Sequence, residues 1–255
     1  MSFEAEVRER IAENGSNQAL HSTTEAFMLA SLAARYSYNF SCLGRPIIQY
    51  PQDMVAMQEI IWQVRPDLII ETGIAHGGSL ILSASMLALL DLADAIEAGT
   101  PLDPRKSSRL VLGVDVDIRA HNRTAIEAHP MASRIRMIQG SSVASEVVEQ
   151  VKSEARNYPR VLVCLDSNHT GDHVLEELEA YTPLVSAGSY CVVFDTIIEA
   201  MPPDLIGDRP WKPGNSPKTA VSRFLAEHPE FEIDFSIENK LQITVAPHGY
   251  LRRVR

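Results

Sequence analysis

The chain has 255 residues, 45% of them hydrophobic and 22% charged, with a formal net charge of −10. That balance describes a folded protein large enough to bury a core without staples. The acidity excludes a nucleic-acid partner, because a polyphosphate needs a basic face. Cys42, Cys164 and Cys191 show neither metal spacing nor a disulfide framework, which fits a cytoplasmic, reducing setting. The acidic N-terminal residues carry no apolar leader, and no stretch reads as long enough to span a membrane.

In chain order, residues 1–50 read as a helical extension or cap, and 51–255 as the main domain. Helical spacing covers about 3–13 and 21–37 and is followed by a loop from Asn39 to Pro51. Gln52 to Val64 is a helix leading into a first apolar strand, Asp67 to Thr72. From there strands and helices alternate. The strands are Leu110–Asp115, Ile135–Ile138, Arg160–Asp166 and Tyr190–Asp195; the helices are Ser79–Leu92, Ile118–Ala128, Val143–Arg156 and Asp172–Leu184. Apolar strand runs alternating with helices predict βαβ units and a parallel sheet buried on both faces. Residues 197–217 carry five prolines, two glycines and Trp211, and read as a mobile lid without regular structure. Lys218 to Glu227 is a helix. Phe231–Ser236 and Leu241–Val245 read as a hairpin around Glu238 and Asn239, and Arg252, Arg253 and Arg255 as a solvated basic end. The fold class is therefore α/β: a doubly wound, mostly parallel seven-stranded sheet ending in an antiparallel hairpin, the methyltransferase version of a Rossmann-like fold.

The turn from Glu71 to Ser79 joins the first strand to a helix. Gly73, Gly77 and Gly78 allow close backbone approach, and the helix start offers free N–H groups to an anion. Ala75 and His76 complete the turn. Its spacing is not the dinucleotide G-x-G-x-x-G, which argues against a nicotinamide enzyme. His76-Gly77-Gly78 could serve a hydrolase oxyanion loop, but no G-x-S-x-G elbow follows. Asp115 ends the second strand, where an acid holds a ribose diol in many doubly wound folds; Asp117 reads better as a helix cap. Ser141 and Ser142 end the third strand, where an adenine would lie. Asp166 and Asp195 end adjacent strands about 5 Å apart, so they can converge on one cation, and oxygen ligands suit Mg²⁺ or Ca²⁺. His169 is a candidate general base. His173 reads as a surface or helix-start histidine.

The stretch Leu68 to Leu80, with Asp166-Ser-Asn-His169 and Val192 to Thr196, resembles the cephalosporin hydroxylase family; Gln49 to Asp53 with Gln58 and Glu59 is similar too. Members of that family have the methyltransferase fold and include sugar and antibiotic O-methyltransferases. A more distant likeness is to the catechol O-methyltransferases. The resemblance implies S-adenosylmethionine on the turn, with Glu71 and Gly73 along its methionine part, Ser79 at the helix start and Asp115 on the ribose. It implies Mg²⁺ on Asp166, Asp195 and Thr196, and His169 where a lysine base stands. Phe194 departs from the family, which usually has a metal-binding Glu there; a distant Glu199 is the candidate to compensate. The function implied is O-methylation of a small hydroxylated acceptor of the sugar, antibiotic or natural-product type. The alternative is a non-catalytic cofactor-binding partner of an oxygenase. The resemblance also implies a homo-oligomer built on the N-terminal helices.

Overall fold

The structure, a computed structural model, describes residues 2–255. Helices α1 (Phe3–Ser16) and α2 (Gln18–Ala33) begin the chain. A short antiparallel pair follows, β1 (Phe40–Cys42) and β2 (Arg45–Ile47). Next come α3 (Pro51–Val64), β3 (Leu68–Thr72), α4 (Gly78–Ala98), β4 (Leu110–Asp115), α5 (Ala120–Glu127), β5 (Ile135–Gln139), α6 (Ser145–Ala155), β6 (Val161–Leu165), α7 (Gly171–Tyr181) and β7 (Tyr190–Val193). The chain closes with α8 (Pro203–Ile206), α9 (Pro217–Glu227), β8 (Phe231–Ile233), α10 (Phe235–Leu241) and β9 (Tyr250–Arg253).

The main sheet has seven strands in the order β5-β4-β3-β6-β7-β9-β8. The first five run parallel, and β9 is antiparallel to both β7 and β8. Successive strand residues point to opposite faces, so each strand feeds two cores. Ile69, Val111 and Leu162 pack with Ile60, Leu80 and Leu87 of α3 and α4. Leu68, Ile70 and Leu112 pack with Val151, Leu178 and Phe224 of α6, α7 and α9. This double burial explains why the strand sequences are apolar runs rather than alternations.

Helix α4 corrects one expectation. It is 21 residues long, with a mean hydropathy of 1.8 over its most apolar window, long and apolar enough by composition to cross a membrane. Half of that window is buried, and Leu80, Ala84, Leu87 and Leu90 belong to the core. A helix apolar nearly all round is what a central position against a sheet requires.

The C-terminal segment differs from the expected hairpin. Glu238 and Asn239 lie in α10, and Leu241–Val245 is not a strand. Asp234 caps α10 by accepting from the Ser236 N–H at 3.1 Å, and Ile237 is buried. Leu241–Val245 alternates as a strand would, yet its donors go elsewhere. The Val245 N–H and the Thr244 hydroxyl both donate to the buried Asp53 carboxylate on α3. The antiparallel edge is built instead from Phe231–Ile233 and Tyr250–Arg253. Arg252 and Arg253 are thus strand residues, and Arg253 donates to the Val185 carbonyl at 2.5 Å.

The N-terminal helices lie on this framework. Gly15 of α1 stands against the Asn239 side chain of α10. Leu32 of α2 packs with Ile198, Met201 and Ile206, beside Leu205 and Trp211.

Candidate active site

The carboxyl ends of the parallel strands open into a cavity of about 1110 Å³. Gly73, Asp115, Ser141 and Ser142 form one part of its wall, and Asp166, His169 and Asp195 another. The remainder comes from α2 and the following residues, including Arg35 and Tyr38, and from Arg209 and Trp211 of the 197–217 segment.

The Gly-rich turn is braced from several sides. Gly73 has φ +88°, and a Cβ there would collide with the Asp166 carbonyl. Gly77 has φ +83° and abuts the Ile126 side chain. Only glycine satisfies both the left-handed backbone and the contact at these two points. Asp115 Oδ2 accepts from the Ile74 and Ala75 N–H groups at 2.7 and 3.3 Å. Asn122 Nδ2 donates to the Ala75 carbonyl at 2.8 Å, and Arg45 Nη2 to the His76 carbonyl at 2.6 Å. Asp115 therefore holds the turn in shape while facing the cavity. Glu71 is buried and accepts from the Ser79 hydroxyl. Burial raises its pKa to about 7, and the Ser79 bond pulls the other way. Glu71, His76, Gly77 and Ser79 support the turn from behind; Gly73 and Ala75 are its cavity face.

Asp166 directly follows β6 and Asp195 lies two residues beyond β7, one step past the residue level with Asp166, and His169 folds back toward both. Ligand atoms of Asp166, His169 and Asp195 lie within 4.8 Å of one another. His169 Nε2 is 3.2 Å from Asp195 Oδ2. Asp195 has φ +56°, an uncommon conformation for a residue with a Cβ. Burial first, then the charges of Asp195 and Glu71, hold the Asp166 carboxyl well above the ordinary range. A cation at this point would relieve that strain. The ring of Trp211 meets His169 edge-on at 6.2 Å.

Two expectations for the cation site fail. Thr196 is fully buried and its hydroxyl donates to the Pro247 carbonyl at 2.7 Å, so it does not join the aspartates. Glu199 does not compensate for Phe194. Its carboxylate accepts from the Gly214 N–H at 3.1 Å and from the Ser216 and Thr219 hydroxyls. Phe194 places its ring in the core with Tyr50, Val245 and Tyr250. His169, by contrast, lies inside the cluster.

His173 is not a surface residue. It lines the cavity, with Nε2 3.1 Å from Ser142 Oγ and 3.6 Å from Oε1 of the fully buried Glu177. Glu177 also accepts from Ser167 at 2.6 Å, and Tyr181 donates to the Ser142 carbonyl at 2.5 Å. The i, i+4 spacing of His173 and Glu177 was the available signal. Gln49, Arg35, Tyr38 and Arg209 reach the cavity through long-range packing, which gives no local signature.

A doubly wound parallel sheet with an antiparallel far edge, and an acidic Gly-rich turn after its first strand, is the class I methyltransferase fold. Solved structures share it. An apo structure of CmcI aligns with a TM-score of 0.55 at 19% identity, covering 86% of this chain and 77% of that one. A Bacillus cereus O-methyltransferase crystallised with S-adenosylhomocysteine aligns with a TM-score of 0.51 at 16% identity, covering 82% and 81%. The family model described as Rhamnosyl O-methyltransferase/CmcI matches residues 34–254. A rhamnosyl O-methyltransferase of Mycobacterium tuberculosis is 32% identical over 206 residues, 79% of this chain and 73% of the relative. One from Mycobacterium leprae is 28% identical over 215 residues, covering 83% and 82%. The chain belongs to the rhamnosyl O-methyltransferase/CmcI family, the group that the turn and the strand-end aspartates resemble. It is an S-adenosylmethionine-dependent O-methyltransferase.

Proposed function

We propose that this protein methylates a hydroxyl of a small sugar- or antibiotic-type acceptor, with a divalent cation, Mg²⁺, assisting at Asp166 and Asp195. The observation that carries this reading is the Asp166–His169–Asp195 cluster on the cavity wall, just beyond the carboxyl ends of the adjacent strands β6 and β7. The donor chemistry fits. Two carboxylates offer hard oxygens, and Mg²⁺ commonly takes one or two carboxylates and keeps several waters. The rhamnosyl O-methyltransferase relatives support the sugar-type acceptor, and a CmcI structure with Mg and S-adenosylmethionine supports the cation.

S-adenosylmethionine would supply an electrophilic methyl on a sulfonium sulfur, and a cation held by Asp166 and Asp195 would lower the pKa of the acceptor hydroxyl. The protein's own residues do the rest. Gly73, Ala75 and Asp115 form the cofactor floor, with Asp115 placed for the ribose and Ser141 and Ser142 for the adenine. His169 Nε2 lies 3.2 Å from Asp195 Oδ2, a pairing that orients the imidazole, and the ring takes the acceptor's proton. Asp195 then stabilises the imidazolium. S-adenosylmethionine held on this floor would supply its methyl to the acceptor oxygen and would be left as S-adenosylhomocysteine. Correct placement of oxygen, methyl and sulfur supplies most of the rate. Residues 1–50 serve as a cap on the 51–255 domain: α2 and the 197–217 segment meet over the acceptor end, and Trp211 gives a flat apolar wall for a sugar ring.

Rate measurements with a rhamnosyl acceptor test this. Activity should fall on chelation and return with excess Mg²⁺, and His169→Ala should lose about 10²–10⁴-fold. Full activity after exhaustive chelation would remove the cation from the mechanism. Full activity of the His169 variant would remove the base.

A further inference from the structure

Gln49 lies in the link between β2 and α3. It is 4% exposed and forms part of the cavity wall. Its side-chain Oε1 is wholly shielded and has no hydrogen-bond partner. Buried polar groups in folded proteins are almost always paired, so an orphan on a cavity wall points to a partner that arrives with a ligand. The side chains around it are already engaged. Tyr50 shares a hydrogen bond with Ser31 at 2.7 Å, and Asp53 accepts from Thr244, Val245 and Tyr250.

Its place in the fold narrows the ligand. Pro46 and Ile47, just before it, lie so close to Gly78 that a Cβ there would strike the Pro46 carbonyl. Arg45 holds the His76 carbonyl. Tyr50, just after it, is packed in the same core cluster as Phe194, the residue before Asp195. Gln49 therefore stands between the first turn of α4 and the Asp166–Asp195 cluster. In the proposed complex the methionine portion of S-adenosylmethionine lies there.

We propose that Gln49 binds the α-amino-carboxylate of S-adenosylmethionine and so positions the sulfonium. This rests on the cofactor reading above. An amino-carboxylate presents N–H donors and carboxylate acceptors side by side, and a carboxamide matches both. Oε1 accepts from the ammonium while Nε2 donates to the carboxylate. Glu71 and Ser79, two other polar side chains of the Gly-rich turn, are bonded to each other.

Two ligands that differ only in this group test the assignment. Titration calorimetry on the full chain compares S-adenosylhomocysteine with 5′-methylthioadenosine, which lacks the amino-carboxylate. Gln49→Leu should weaken S-adenosylhomocysteine at least tenfold and leave 5′-methylthioadenosine within twofold, with an unchanged circular dichroism spectrum. Gln49→Asn, shorter by one methylene, should show the same selective loss to a smaller degree, and carries the test alone if the leucine variant does not fold. Equal losses on both ligands, or none on either, overturn the assignment. So does a variant that changes only the acceptor KM. A wild-type protein that binds neither ligand overturns the cofactor reading itself, and the Gln49 assignment with it.

Discussion

Glu71 shows how far one carboxyl can be pushed by its surroundings. Its pKa rises from 4.5 to about 7 because burial penalises the charge more than Ser79 rewards it. The native state therefore keeps a proton that the unfolded chain releases above pH 4.5. Stability from this site is full below that value, falls as pH rises through about 4.5 to 7, and is flat beyond. The loss is on the order of 3 kcal/mol. Asp53, raised to about 6 by burial, adds a loss of the same sign at the acid end of the window. In Glu71→Gln the amide oxygen still accepts from Ser79, and no charge forms. Urea midpoints at pH 5 and pH 7.5 should then lie closer together than in the wild type. An unchanged gap between them would place the proton elsewhere.

The element that departs most from its sequence is the segment after β7. Its prolines and glycines predict irregular chain, yet Thr196–Ala200 makes a 3₁₀ turn and Pro203–Ile206 a helical one. Glu199 ties the segment's two ends together through Gly214, Ser216 and Thr219. In Glu199→Ala the far end loses its anchor. Limited proteolysis should then cut between residues 200 and 215 faster, and the acceptor KM should rise while S-adenosylhomocysteine affinity stays constant. Unchanged cleavage would mean that the packing of Met201 and Ile206 suffices. The same contrast separates what could be read from sequence and what could not. The Gly-rich turn and the aspartates ending β4, β6 and β7 were legible, because a parallel sheet puts strand ends and binding groups in one place. Leu241–Val245 was not, since its alternation matches a strand while Asp53, nearly two hundred residues away, claims its donors. Thr196 and His173 failed for a similar reason: the direction of a side chain depends on Pro247 in one case and on Glu177 and Ser142 in the other.

Across the molecule the seven-stranded sheet is closed on both faces, and chemistry is confined to one rim, roofed by α2 and the 196–217 segment. Every interior position along the strands follows the apolar rule; the exceptions collect at the rim. Asp195 is the sharpest of them, a β-substituted residue in left-handed backbone beside a second carboxylate, that of Asp166. A site assembled this way is a standing concession of thermal tolerance, held in place by the rest of the fold. Asp195→Asn keeps a side chain that accepts the left-handed conformation and removes the repelling charge from Asp166. The variant should melt higher than the wild type, by about 2–4 °C for each kcal/mol recovered in a domain of this size, while its methyl transfer is lost. A lower melting point would show that the pairing with His169 outweighs the repulsion. A higher one would mean that a heat-hardened form of this enzyme is a single substitution away and catalytically dead. Selection for endurance and selection for turnover would then pull on the same carboxylate in opposite directions.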